Sequence, residues 1–272
     1  MIKKSIVVTG GTDGIGLALV KKLLNKDHYV YMIGKNDDKG NSILNSIKNS
    51  NLEFFSCDLS EKNEIKKLIK KLTKLPAIDI LVNNAGSIFD NQNFTSDGIE
   101  KTFALNHLSY FHLSIGLIEK LEKSIDPRII NVSSNAHKRY KLDINDLECR
   151  FNYNGWKAYC RSKLLNILFT YSFKKKVKTK INSNCLHPGF VNSNFGNNNK
   201  NFYRGIVNIL KNLFAISSET ASRSPYHLAL SDELKNVDGK YFYKLQKKKS
   251  CDESYNNNLA EEVWNKSIEY IS

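Results

Sequence analysis

The chain has 272 residues, 41% hydrophobic and 25% charged, which suits one large globular core and excludes a disordered or fibrous protein. Its net charge of +14 comes from lysines scattered along the whole length in an Asn- and Lys-heavy composition, and no helix-turn-helix, finger or RNA-binding motif accompanies it, so nucleic-acid binding is set aside. Five cysteines, odd in number and without C-x-x-C spacing, exclude a disulfide framework and a zinc site and imply reduced thiols in the cytoplasm.

No secretory leader precedes the first apolar run, and no stretch is long and apolar enough for a transmembrane span. Short β-branched runs predict strands over 5–9, 29–33, 52–56, 78–82, 128–133, 180–186 and 240–243. Between them, helical periodicity predicts helices over 15–25, 41–48, 61–72, 98–121, 158–176 and 219–230. Asp37 and Asp38 are read as caps of the second helix. Such alternation implies an α/β fold, one doubly wound domain with a parallel sheet of about seven strands and helices on both faces. No linker or repeat divides residues 1–272. The one loop-rich region is 193–204, and a segment of about 193–216 that includes it is read as a substrate lid.

Two patterns carry chemistry. The first βα turn reads Thr9-Gly10-Gly11-Thr12-Asp13-Gly14-Ile15-Gly16, between a strand and a helix. Glycines at 10, 14 and 16 let the backbone turn tightly and approach a pyrophosphate, which then sits at the positive helix N-terminus. The second is Tyr159-Cys160-Arg161-Ser162-Lys163. A spacing of four puts phenol and ammonium on one helix face. A phenol titrates near 10, too high to exchange protons readily at neutral pH, and a nearby ammonium is expected to lower it. Tyr159 would then pass a proton to a carbonyl oxygen or take one from an alcohol. Lys163 has donors left over for ribose hydroxyls.

These patterns, with Asn83-Asn84-Ala85-Gly86 after the fourth strand, resemble the short-chain dehydrogenase/reductase family over nearly the whole chain. Asn131-Val132-Ser133-Ser134-Asn135-Ala136-His137 and Asp238-Gly239-Lys240-Tyr241-Phe242 resemble its retinol-dehydrogenase-like branch. The resemblance implies a Rossmann-type fold. It also implies that Gly10, Thr12, Asp13, Gly14, Ile15, Gly16, Asn84, Ala85, Gly86, Tyr159 and Lys163 bind the cofactor. Asp58 would contact adenine, and Pro188, Gly189, Val191 and Ser193 would lie beside the nicotinamide. By the family's pattern the second serine, Ser134, holds the substrate oxygen with Tyr159 and Lys163, and Ser133 is structural. Asn106 matches the family's helix asparagine, which supports a water near the lysine. His137 is read as a loop residue and Cys160 as a small buried thiol.

The cofactor expectation is NADP(H) over NAD(H). Gly34 stands where NAD-preferring relatives carry an acid, and Lys35 where the resembling NADP branch carries arginine. Asp13, in the glycine turn, argues against it. The substrate expectation is a small apolar carbonyl or alcohol, retinal-like or another lipophilic aldehyde or ketone. Phe190, Phe195, Phe202, Ile206 and Leu210 are the expected lining, and the amphipathic 206–214 stretch is a candidate lid, dimer contact or peripheral membrane contact. A homodimer through the helices carrying Asn106 and Tyr159 is a further expectation. The rival reading is a non-catalytic dinucleotide-binding sensor on the same fold, but such a protein has no reason to keep Ser134, Tyr159 and Lys163 together. A sugar-nucleotide epimerase uses a similar Tyr–Lys pair and generally needs a longer chain.

Overall fold

The computed structural model describes residues 2–189 and 216–272. β1 (Ser5–Thr9) leads into α1 (Gly14–Leu24), β2 (Tyr29–Gly34) into α2 (Asp37–Ile47), and β3 (Leu52–Ser56) into α3 (Lys62–Leu72). After β4 (Ile80–Asn83) comes a compound helix, α4, made of an α turn at Lys101–Phe103, a π segment at Ala104–Leu108 and an α segment at Ser109–Gly116. Among the described residues, β5 (Arg128–Val132), α5 (Gly155–Lys176), β6 (Asn182–His187), α6 (Arg223–Leu230), β7 (Tyr241–Tyr243), β8 (Gln246–Lys248) and α7 (Asn257–Ile271) follow in that order.

The eight strands form one sheet in the order β3-β2-β1-β4-β5-β6-β7-β8, parallel except for the β7–β8 hairpin. Period-two alternation divides the core. Val7, Leu81 and Ile129 face α3, α4 and α5, while Ile6, Val8, Ile80, Val82 and Ile130 face α1 and α6. All of these are essentially inaccessible to solvent, and each contributes roughly 1.5–3 kcal/mol by leaving water. The strand order reverses between β1 and β4, so a crevice opens at the carboxyl ends of the strands, where such sheets bind ligands.

Three local expectations are corrected, and the sheet has one strand beyond the about seven expected. The eighth strand follows a turn whose central residues, Lys244 and Leu245, both hold positive φ without being glycine, so no turn signal announces it. Helix α2 starts earlier than 41. Its cap is Asn36, which accepts from Lys39 N at 2.8 Å, and Asp37 and Asp38 lie in the first turn. The expected 98–121 helix ends at Gly116, and a separate turn runs from Ile118 to Leu121. The 219–230 helix is split at Ser222, with Pro225 in the first turn of α6, where its missing N–H costs nothing.

The fifteen-residue helix α7 was not expected from periodicity. Asn256 caps it through Leu259 N, and it buries Val263, Trp264 and Ser267. Trp264 meets Phe111 edge-on at 4.9 Å and lies over Phe169 at 6.0 Å. Helix α7 thus packs against α4 and α5 of its own chain.

Candidate active site

The glycine turn follows β1 and faces the loop after β4. Gly10 and Gly14 hold φ of +63° and +49°, and a side chain on Gly16 would run into Gly10 O. Asn84 keeps this turn in place: its Nδ2 donates to Thr9 O at 2.9 Å, and its backbone N donates to Thr9 Oγ1 at 2.8 Å. Ala85 N donates to the same hydroxyl at 3.0 Å. The result is a bare backbone cradle at the start of α1, which fits a pyrophosphate. Asp13 caps that helix, accepting from Gly14 N at 2.7 Å, and half-buried Ile15 begins its first turn.

One crevice wall is built from β5 and α5. Ser134, two residues past β5, has its side chain hydrogen-bonded to the Tyr159 phenol. Ser133 is turned away and donates to Lys163 O at 2.8 Å, a packing role. Lys163, 3% exposed, donates to Val132 O at 3.2 Å and sits 5.5 Å from the Tyr159 ring centroid and 5.6 Å from that of Tyr110. Asn106 lies in the π segment of α4, a distortion frequent at functional sites. Its Oδ1 accepts from Ser87 N at 2.9 Å, and its Nδ2 donates to Ser87 O at 2.9 Å and to Ser162 Oγ at 3.1 Å. Its own carbonyl accepts from Asn166 Nδ2. Asn106 thus ties the loop after β4 to α5. A Cβ on Gly86 would stand 3.3 Å from Lys163 Nζ and 3.2 Å from Asn106 Oδ1, so the missing side chain leaves the lysine approachable from the crevice.

Electrostatics depart from expectation at Tyr159. Burial pushes the phenol above its ordinary value, opposed by the Ser134 hydrogen bond, whereas a lowering was expected. Burial also pulls Lys163 down to about 7, so the ammonium that was to lower the phenol is itself weakly held in the protein alone.

A match to the family model described as short chain dehydrogenase spans residues 4–203. The chain belongs to the short-chain dehydrogenases. It is 33% identical over 276 residues to human polyprenol dehydrogenase, covering 97% of this chain and 83% of that one. To human retinol dehydrogenase 12 it is 32% identical over 277 residues, covering 98% and 86%. The fold is shared with an uncharacterized protein from Mycobacterium Paratuberculosis, whose crystal structure matches with a TM-score of 0.80 at 22% identity over 98% of this chain and 93% of that one. The dehydrogenase is therefore an oxidoreductase of the retinol-dehydrogenase-like kind, with a nicotinamide dinucleotide as cofactor and an alcohol or carbonyl as the reacting group.

At the adenosine end the structure adds what the motifs did not show. Lys35 Nζ pairs with Asp58 Oδ2 at 2.6 Å, so the expected phosphate ligand and the expected adenine contact hold each other. The Asp58 bond raises Lys35; burial would raise Asp58, but Lys35 and Ser60 outweigh it and leave that carboxyl below its usual range. Lys39, which the sequence reading passed over, pairs with Asp13 Oδ2 at 2.6 Å and answers the acid that argued against a phosphate. Gly34 has a packing reason of its own, since a Cβ there would lie 2.6 Å from Thr12 Cγ2. Beside the phenol, Trp156 stacks on Tyr159 at 5.6 Å and half-buried Ile88 packs against the same cluster. Tyr159 and Trp156 are three apart on one helix, a spacing that places them on one face.

Pro188 and Gly189 follow β6 at the same edge of the sheet, Gly189 with φ +101°. Val191, Ser193, Phe190, Phe195, Phe202, Ile206 and Leu210, and the 193–216 segment up to residue 215, lie outside the described residues. Among the described residues there is no cluster of metal-ligating side chains and no helix long and apolar enough to cross a membrane.

Proposed function

We propose that this dehydrogenase interconverts a lipophilic aldehyde or ketone and its alcohol, using NADP(H) in preference to NAD(H). The single observation that carries the reading is Ser134 hydrogen-bonded to Tyr159, with Lys163 below the ring, facing a glycine cradle across the crevice. The bound nicotinamide supplies or accepts the hydride. Ser134 Oγ–H holds the substrate oxygen as charge develops there. Tyr159 gives its proton to that oxygen in reduction, and the upward push on its phenol supports reduction at neutral pH, because the proton is present to be given. Lys163 turns its remaining N–H groups toward the cofactor ribose, past the bare Cα of Gly86.

The apolar preference rests on Trp156 and Ile88 at the phenol and on the similarity to enzymes named for retinol and polyprenol. The NADP(H) preference rests on Lys35 and Lys39 at the adenosine end. Five free thiols support a reducing compartment, which we propose to be the cytoplasm. Turnover of an aldehyde panel with NADPH and NADH, followed by cofactor absorbance, tests the reading. Tyr159→Phe keeps the ring and removes the proton donor, so its rate is expected to fall ~10²–10⁴-fold with cofactor binding retained. A variant as active as the wild type would overturn the mechanism, and a protein that binds both cofactors but reduces nothing would return the non-catalytic sensor.

A further inference from the structure

Ser134 leaves β5 with extended backbone (φ −154°, ψ 154°) at the start of a short 3-10 turn, Asn135–Lys138. Its carbonyl oxygen is gripped twice by one residue. His137 N donates to it at 3.1 Å, and His137 Nδ1 lies 2.6 Å away. On the far side of the ring, Cys251 N points at His137 Nε2 at 3.1 Å. A backbone N–H can only donate, so Nε2 must accept, and in the neutral ring the proton then sits on Nδ1, directed at Ser134 O. His137 is 1% exposed, with the Tyr241 ring edge-on at 5.2 Å. Burial, foremost, lowers its pKa, with the Ser134 carbonyl pulling the other way and Lys138 adding to the lowering. The imidazolium would turn a second donor against Cys251 N–H. A parallel tie runs from Leu142 N to Glu253 Oε1 at 2.8 Å, so the whole turn is fastened to the segment after β8.

We propose that His137 is a positioning residue: held in one tautomer by Cys251, it fixes the Ser134 backbone so that Ser134 Oγ keeps its place against the Tyr159 phenol. This rests on the reading of Ser134 as the hydroxyl that holds the substrate oxygen. The geometry separates this role from simple packing. A packed ring needs its volume only, whereas the clamp needs a donor at the Nδ1 position and an acceptor at Nε2. It also links the catalytic loop to residues more than a hundred positions later in the chain, since His137 and Cys251 come together only in the fold.

The test uses the full-length protein. A ¹H–¹⁵N spectrum of the imidazoles, with His137 assigned by its loss in His137→Phe, is expected to show the proton on Nδ1, the minority tautomer of free histidine. In turnover, His137→Phe keeps the ring volume and removes both bonds; kcat is expected to fall by up to about 10²-fold, the scale of a small misplacement, with NADPH affinity unchanged. His137→Asn restores an N–H near the Nδ1 position and is expected to recover most of that loss. Ser134→Ala is run beside them. A proton on Nε2 overturns the proposal, and this holds even if the phenylalanine variant fails to fold. So does an inactive Ser134→Ala beside a fully active His137→Phe, or a His137→Asn no better than His137→Phe. A fully active Ser134→Ala sinks the assignment of Ser134 itself, and the clamp's catalytic meaning with it, whatever the tautomer.

Discussion

Lys163 is 3% exposed and donates to Val132 O, and burial brings its pKa from the ordinary 10.5 to about 7. A drop of that size corresponds to roughly 5 kcal/mol of stability forgone below neutral pH, at about 1.4 kcal/mol per unit. The sign follows from proton counts. Between about 7 and 10.5 the unfolded chain binds the proton and the folded chain does not, so this contribution to stability rises with pH across that window and is flat below it. Lys163→Met removes the titration and keeps the length of the side chain. It also removes the lysine's bond to Val132 O, which keeps a long one from Tyr110 Oη at 3.5 Å, at a cost of about 1–3 kcal/mol. The variant is therefore expected to be inactive and yet more stable than the wild type at pH 6.5, by a few kcal/mol. The advantage should shrink by about 1.4 kcal/mol per unit on going from pH 7 to 9.5. Urea unfolding of both proteins at three pH values reads this directly. A stability difference that does not change with pH would refute the claim that this lysine is held against its own desolvation.

At the adenosine end, Lys35→Ala is expected to weaken NADPH binding by roughly ten- to a hundredfold, the scale of one charged hydrogen bond, and NADH binding far less, as titration calorimetry would show. Gly34→Asp alone is expected to damage folding through its clash with Thr12, so reversal to NADH needs Thr12→Ala and Lys35→Ala beside it. Equal affinity of the wild type for both cofactors would contradict the role given to Lys35. Trp156→Ala should raise KM for long apolar aldehydes more than for short ones, at about 0.8 kcal/mol per methylene no longer buried; a uniform change along a homologous series would take Trp156 out of the substrate site. His107 is fully buried and pulled to about 4 by burial, so below 6.5 the unfolded state binds the proton that the folded state refuses. Stability is expected to fall by about 2 kcal/mol from this residue alone by pH 5, and urea midpoints for His107→Gln should show a correspondingly flatter acid limb.

The strands and the glycine turn were legible because each is written in local chemistry: Ile6-Val7-Val8 alternates between two cores, and Gly10 and Gly14 occupy the left-handed region that their neighbours could not. The hidden elements have non-local causes. Helix α7 is made stable by Trp264 against Phe111 and Phe169, which are far away in sequence, while its own surface is mostly polar. The π segment carries Asn106, whose side chain is held by Ser87 and Ser162 from two other elements. The serine and tyrosine proposed for the site were read from motifs and lie together in the fold, but the direction of the phenol's shift could not be read, because burial is a property of the folded surroundings rather than of Tyr-x-x-x-Lys spacing.

The adenosine end shows how much chemistry lies in pairings that a sequence does not display. Lys35 was expected to meet a phosphate and Lys39 carried no expectation; in the fold each holds a carboxylate, Asp58 and Asp13, from a different loop of the crevice. The Lys39–Asp13 pair is exposed on both sides and contributes only about 0–1 kcal/mol, so it opens at little cost, whereas in the other pair Lys35 is exposed and Asp58 is largely buried. A 2′-phosphate entering beside Gly34 would take over donors that are already placed, while Asp13 keeps its bond from Gly14 N and Asp58 keeps its bonds from Ser60. An adenosine with a bare 2′-hydroxyl offers the lysines nothing to exchange for Asp58 and Asp13. The selectivity proposed for this end is an exchange of partners and not unopposed charge, so the net charge of +14 bears on it less than the two short pairs do.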